Sequence, residues 1–100
     1  MNVIAVPRLE RMGYNSTFLI GIQCDPGALD DVAGRVAELP EIHFVCMTTG
    51  AFDIFAWGAV GSSEELAQFL RSRLGVIPGI RRTETFINLS IRKRTYGLAT

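Results

Sequence analysis

The chain has 100 residues, which is enough for one domain and leaves little room for a second. Apolar residues make up 48% of it, charged residues 20%, and mean hydropathy is +0.25, which excludes a disordered chain. Ten basic residues balance ten acidic ones, which argues against a dedicated nucleic-acid binder, and no apolar run approaches the roughly 18 residues of a membrane span.

The two cysteines, Cys24 and Cys46, are too few for a disulfide scaffold and lack the spacing of a CxxC motif. The first residues, 1–4, lack the basic and long apolar regions of a secretory signal. A reduced, cytoplasmic environment is therefore expected.

The first elements alternate between extended and helical patterns. Residues 1–13 are predicted to form an arm or linker strand whose role is open. Residues 16–24 are rich in β-branched and aromatic side chains, which predicts a strand. Asp25 is a good helix N-cap and Pro26 suits the first helical position. The helix that follows is expected to end near Leu39, which precedes a proline.

The second half repeats this alternation. Strands are predicted at 42–49 and 52–60, joined by a short turn that contains a glycine. A second helix at 62–74 opens with the spacing of a capping box and is followed by Gly75, a natural C′ residue. The last predicted strand is 83–91.

The order strand, helix, strand, strand, helix, strand predicts an α+β, ferredoxin-like βαββαβ fold. Its four-stranded antiparallel sheet should carry both helices on one face. We assign this domain to residues 14–92 and treat residues 93–100 as a basic, polar tail.

Alternation along the strands predicts which side chains the helices leave uncovered. Phe44, Cys46 and Phe52 are assigned to the helix side. The opposite face is predicted to carry Leu19, Val45, Met47, Phe55, Trp57 and Phe86. Such a patch would exceed the few hundred Å² usual on a monomer, so we expect it to be buried by sheet-on-sheet packing in a C2 homodimer.

The search for catalytic chemistry gives little. His43 is the only histidine, and no other metal ligand lies near it in sequence. The phosphate-loop, dinucleotide and nucleophile-elbow motifs are absent. With no nucleophile–base pair, an enzyme could be argued only by analogy of fold.

Asp53 is the residue that we single out as a functional candidate. Alternation directs it away from the helices, so its carboxylate should lie at an edge, pair with an arginine, cap turn amides, or await a cation. Gly50 permits a positive φ, and the turn around it could present backbone N–H groups to a carboxylate. Thr83 and Thr85, at the start of the last strand, are either ordinary β formers or ligand contacts.

Four short runs occur together in a recognisable order: Asp-Pro-Gly at 25–27, Leu-Pro-Glu-Ile at 39–42, Thr-Gly-Ala-Phe-Asp at 49–53 and Pro-Gly-Ile-Arg-Arg-Thr-Glu-Thr at 78–85. The chain over about residues 14–92 resembles the C-terminal effector domain, also called RAM, of Lrp/AsnC (feast/famine) transcriptional regulators. No single run is specific, but their combination in this βαββαβ order is distinctive.

The resemblance implies dimerisation through the sheet, rings that are often octamers, and amino-acid effectors bound between dimers. The effector-binding residues that it implies are Thr49, Gly50, Ala51, Phe52, Asp53, Thr83 and Thr85. Members of the family carry a helix-turn-helix before a linker, whereas this chain begins within what looks like the linker. We therefore expect no direct DNA binding. The chain is either a stand-alone protein or a piece of a longer regulator, and it could join full-length relatives.

The function favoured by the sequence is an amino-acid-sensing and oligomerisation module of transcription regulation, without catalysis, metal or cofactor. Two alternatives stay open. One is a dimeric ferredoxin-like enzyme, such as a monooxygenase or a haem-related decarboxylase. The other is an assembly module that binds no ligand.

Overall fold

The computed structural model describes residues 16–93 and forms one four-stranded antiparallel sheet with the order β2-β3-β1-β4. The elements are β1 (Ser16–Cys24), α1 (Leu29–Ala37), β2 (Ile42–Met47), β3 (Ile54–Val60), α2 (Ser63–Phe69) and β4 (Ile80–Ile87). This order confirms the ferredoxin-like prediction. The predicted arm at 1–13, and the predicted tail beyond residue 93, lie outside the described residues. None of the helices in the described range is long and apolar enough to cross a membrane.

Both helices cover the same face of the sheet. Alternate residues of the central strands are fully buried there, as predicted: Phe18, Ile20 and Ile22 of β1, and Ile54 and Ala56 of β3. The helices contribute Val32, Val36, Leu66 and Phe69 to the same cluster. Each large apolar side chain buried in this way stabilises the fold by about 1.5–3 kcal/mol, so the regular alternation of β1 and β3 sets which face is the core.

The first helix begins later than predicted. Asp25 is extended, with φ −63° and ψ 136°, and its side chain makes no capping hydrogen bond. A 3₁₀ turn, Pro26–Ala28, follows, in which the Ala28 amide donates to the Asp25 carbonyl at 2.8 Å. The α-helical part starts only at Leu29. Asp25 thus occupies the predicted N-cap position, with Pro26 at the first helical position, but of the 3₁₀ turn and not of the α-helix. Its side chain does not cap, because the Asp25 backbone carbonyl accepts from the Ala28 amide.

The second helix begins as predicted. Ser62 Oγ accepts from the Glu65 amide at 3.2 Å, and Glu65 Oε1 accepts from the Gly61 amide at 2.7 Å. These two bonds satisfy donors that the helix start would otherwise leave without partners.

The second helix ends in a way that the sequence did not predict. A π-helical turn, Leu70–Leu74, extends α2, and the Gly75 amide donates to the Leu70 carbonyl at 2.9 Å. Gly75 keeps a right-handed backbone, with φ −67°, so it does not serve as a left-handed C′ residue. Glycine suits this position for another reason, since a Cβ there would lie 2.8 Å from the Leu70 carbonyl oxygen.

β2 contains one residue more than the stretch of β3 beside it. Ile42 pairs with Gly58, but Phe44 pairs with the next residue along β3, Trp57, so His43 is the inserted residue. An insertion of one residue moves every later side chain of the strand to the other face. Phe44 therefore lies on the open face rather than on the predicted helix side.

The same shift corrects two predicted members of the open face. Val45 pairs with Ala56, and Met47 pairs with Ile54. Ala56 and Ile54 are the two residues buried beneath the helices. Val45 is half-buried against the core cluster. The prediction that Val45 and Met47 lie on the open face is wrong.

The strand ends also differ from the predictions. β2 stops at Met47 and β3 starts at Ile54, so the connecting turn is longer than predicted. β4 begins at Ile80, directly after Gly79, whose φ is +96°, and it leaves the sheet after Ile87 instead of reaching residue 91.

Candidate functional site

The turn between β2 and β3 is closed by two hydrogen bonds at its base. The Thr48 amide donates to the Asp53 carbonyl at 2.9 Å, and Thr48 Oγ1 donates to the Phe52 carbonyl at 2.9 Å. Gly50 has a φ of +104°, which confirms the predicted need for glycine at this position. Thr49, Gly50 and Ala51 are all exposed.

The tip of this turn offers backbone donors to solvent. Within residues 16–93, the amides of Gly50 and Ala51 donate to no other group. The Ala51 carbonyl accepts from Gln23 Nε2 at 3.2 Å, which ties the tip to the end of β1. Two successive N–H groups without an internal partner are available to a carboxylate or another small anion.

Asp53 holds the turn against β1. Its Oδ2 accepts from the Cys24 amide at 3.0 Å, and its own amide donates to the Ile22 carbonyl at 2.9 Å. The carboxylate is half-buried. The carboxylate therefore accepts from a backbone amide. Capping of turn amides is one interpretation of the sequence, but this amide belongs to the end of β1 and not to the turn.

The thiol beside Asp53 is kept in its neutral form. Burial raises the pKa of the Cys24 thiol, and the negative charges of Asp53 and Asp25 raise it further. Because the thiolate is the nucleophilic form, the raised pKa disfavours a nucleophilic role for this buried thiol.

Phe52 occupies a different position from the one predicted. Its ring folds across the open face over Gly21, so closely that a Cβ at Gly21 would lie 2.8 Å from its Cγ. The ring makes edge contacts with Phe55 and Phe86, at centroid distances of 5.6 and 6.5 Å, and the Arg82 guanidinium carbon lies 5.7 Å from its centre. Only 9% of Phe52 is exposed. The prediction that it packs beneath the helices is wrong, because β3 begins only at Ile54.

Thr83 and Thr85 lie apart from the turn. They pair with Ile22 and Ile20, so they share the helix side of the edge strand β4, and β1 separates β4 from β3. Thr83 is exposed and Thr85 is half-buried. Within one chain, the structure brings Thr49 to Asp53 together but does not bring the two threonines to them.

Three groups near the turn were missed by the sequence reasoning: the Gln23 amide side chain, the Cys24 backbone amide and Arg82. Arg82 lies on the face of Phe52 and is 3.6 Å from Glu84 Oε1 through Nη2. The alternation Phe86, Glu84, Arg82 would have placed it there if the start of β4 had been predicted at residue 80. For Gln23 and the Cys24 amide the sequence carries no comparable signal.

The open face of the sheet is largely apolar. Its apolar members are Leu19, Phe44, Cys46, Phe52, Phe55, Trp57 and Phe86. Leu19 pairs with Trp57 on one side and Phe86 on the other, while the Phe44 and Trp57 rings meet edge to face at 5.3 Å. Phe44, Trp57 and Phe86 are 53%, 42% and 40% exposed, an unusual amount of contiguous aromatic surface.

The fold and the turn belong to a known class of domain. Residues 17–98 match the family model of the Lrp/AsnC ligand binding domain. The chain therefore belongs to the Lrp/AsnC family of transcriptional regulators through this domain.

Relatives and solved structures agree with this assignment. An uncharacterized HTH-type transcriptional regulator of Pyrococcus furiosus is 40% identical over 86 residues, which cover 86% of this chain and 58% of that protein. The structure of Escherichia coli AsnC is 25% identical, with a TM-score of 0.83 over 87% of this chain and 59% of that one. A Neisseria meningitidis transcriptional regulator in complex with L-Met shares the fold at 19% identity, with a TM-score of 0.84, over 91% of this chain and 60% of that one. The chain thus spans less than two thirds of the length of these relatives.

Proposed function

We propose that this chain senses an amino acid or a related small metabolite and passes that signal on through assembly, within Lrp/AsnC-type transcription regulation. The observation that carries the proposal is the exposed Gly50–Ala51 tip, whose amides donate to no group within residues 16–93, on a turn fixed at its base. Family membership supports the same conclusion, as does the L-Met complex of the Neisseria meningitidis regulator, which shares the fold.

The chemistry of the turn suits an α-amino acid. The Gly50 and Ala51 amides would bind the α-carboxylate. Asp53 Oδ2 is engaged by the Cys24 amide, and its other oxygen would face the α-ammonium. Thr49 would complete the rim of the pocket.

In this proposal Thr83 and Thr85 contribute to the ligand pocket from a neighbouring subunit. β1 lies between them and the turn of their own chain, so the proposed pocket would combine the turn of one chain with Thr83 and Thr85 of another. A pocket of this kind is filled only in the assembled protein, which links ligand binding to oligomerisation.

The apolar open face supports the assembly part of the proposal. A second copy of the chain, packed sheet against sheet, would cover Leu19, Phe55, Trp57 and Phe86 about a twofold axis. The corrected register adds Phe44 and Cys46 to this interface and removes Val45 and Met47. Dimers would then form rings, or join longer Lrp/AsnC relatives, and residues 16–93 would act without catalysis and without reading DNA.

A thermal-shift screen with the twenty amino acids tests the proposal, with light scattering on the same samples. A ligand that binds only the folded protein must raise its melting temperature. We expect a shift for one or a few amino acids, and a smaller shift in Asp53→Asn. A stable multimer with no shift for any amino acid would favour the module that only assembles.

A further inference from the structure

The Phe52 ring belongs to two structural units at once. Its backbone is part of the turn that carries Gly50 and Ala51, and its carbonyl accepts from Thr48 Oγ1 at 2.9 Å. Its side chain is part of the open face, in contact with Phe55 and Phe86. A displacement of the ring therefore changes both the turn and the surface proposed to meet a second subunit.

Gly21 makes this arrangement possible. It lies in the middle of β1, paired with Phe55 and Glu84, and the Phe52 ring lies where its side chain would be. Glycine inside a strand often marks the close approach of another group. Here the approaching group is the aromatic ring of Phe52 in the turn, and the Arg82 guanidinium carbon lies 5.7 Å from the centre of that ring.

The burial of Phe52 separates it from the exposed tip of the turn. It is 9% exposed, whereas Thr49, Gly50 and Ala51 are exposed, so its ring has little surface to offer a ligand. The neighbouring Phe86 is 40% exposed and would be covered by a second subunit packed on the open face. Phe52 thus connects the turn that a ligand would contact to the face that a second subunit would contact.

We infer that Phe52 is a positioning residue that couples the effector turn to the dimer face, so that dimerisation rigidifies the turn and ligand binding at the turn tightens the dimer. This inference rests on the proposed function for both the turn and the face. Coupling of this kind is reciprocal, because each event changes the free energy of the other by the same amount.

Amide hydrogen exchange tests the coupling without a ligand. The Thr48 and Asp53 amides are hydrogen-bonded at the base of the turn and exchange only when it opens. Their exchange is measured by NMR on the full chain, across protein concentrations at which sedimentation shows monomer and then dimer. We expect exchange at both amides to slow about fivefold or more in the dimer.

Four variants make the test specific. Phe52→Tyr keeps the ring, so exchange at the Thr48 and Asp53 amides should still slow as the protein concentration rises. In Phe52→Leu, which folds more readily than Phe52→Ala, exchange at these amides should no longer depend on concentration. The same loss is expected in Gly21→Ala, where Phe52 is still present but the new Cβ displaces its ring. Phe44→Ala is the matched control, since Phe44 contacts Trp57 on the same face; it should weaken the dimer but leave turn protection in the dimer unchanged.

The outcomes separate the two proposals. A dimer in which the Thr48 and Asp53 amides exchange as fast as in the monomer would overturn the coupling and leave the proposed function in place. The coupling would also be overturned if amide exchange at Thr48 and Asp53 depended on concentration equally in Phe52→Leu and Phe52→Tyr. A chain that stays monomeric at every concentration would overturn the coupling together with the assembly part of the proposed function.

Discussion

The backbone amide of Cys24, at the end of β1, donates to Asp53 Oδ2 at 3.0 Å, in the turn before β3. This single bond gives Asp53 a structural role that is independent of any ligand. A loss of ligand binding in Asp53→Ala would therefore not identify Asp53 as a ligand contact, because the turn itself would be disturbed. Asp53→Asn separates the two roles, since the amide oxygen can still accept from Cys24 while the charge is removed.

Asp53→Ala should lower the free energy of unfolding by about 1–3 kcal/mol, because the half-buried Cys24 amide is left without its acceptor. Asp53→Asn should lie within about 1 kcal/mol of the wild type. Urea denaturation in the absence of amino acids measures both. Equal stability of Asp53→Ala and the wild type would mean that the bond contributes nothing.

Cys24 should make stability depend on alkaline pH. Its pKa is raised in the folded protein, so its contribution is fully present below the ordinary thiol value and is lost as the pH rises above about 9 towards the folded pKa. The free energy of unfolding should thus fall more steeply above about pH 9 in the wild type than in Cys24→Ala. Identical slopes in the wild type and in Cys24→Ala would mean that Cys24 does not cause the loss of stability at alkaline pH.

The inserted residue in β2 predicts opposite effects for two neighbouring side chains. Val45→Ala should lower the free energy of unfolding by about 1 kcal/mol or more, because Val45 packs against the core cluster. Phe44→Ala should chiefly weaken self-association, since Phe44 lies on the open face beside Trp57. Chemical denaturation and sedimentation distinguish the two. The reverse pattern would mean that the simple alternation was right and that His43 causes no register shift.

Two glycines should respond to alanine in opposite directions. In Gly58→Ala the new Cβ would lie 2.5 Å from the Glu41 carbonyl oxygen and 2.7 Å from Phe18 Cζ, so we expect a loss of about 1–3 kcal/mol or more. Gly34 is exposed within α1 and nothing lies within 4 Å of a Cβ there, so Gly34→Ala should gain about 0.5–1 kcal/mol. Melting temperatures check both. A stable Gly58→Ala protein would contradict the close packing of β2, β3 and β1 at this point.

The order of elements and the core faces of β1 and β3 were predictable because the apolar side chains Phe18, Ile20 and Ile22 of β1, and Ile54 and Ala56 of β3, recur at every second residue and are buried. The faces of the second strand were not predictable, since the insertion at His43 leaves no mark in the pattern of apolar residues. The insertion places Val45 on the helix side and Phe44 on the open face, the opposite of the prediction. Any method that reads faces from alternation alone will fail after an unrecognised bulge.

Phe52 illustrates a second limit. Its apolar character predicted burial correctly, but alternation placed it on the wrong face, since it precedes β3 and folds back over Gly21. The glycine in the middle of β1 was the one available sign of a close approach. The motif also grouped Thr83 and Thr85 with the turn, whereas β1 separates them within one chain. If the proposed site takes these threonines from another subunit, spacing within one sequence could not have shown it.

The most direct test of the proposed function is an NMR titration of the ¹⁵N-labelled chain with the twenty amino acids. Binding at the turn predicts saturable shifts centred on the amides of Gly50 and Ala51, for one or a few amino acids, and their loss in Asp53→Asn. The absence of saturable shifts for every amino acid, or shifts confined to residues away from the Gly50–Ala51 tip, would contradict the proposal that this turn is an amino-acid sensor.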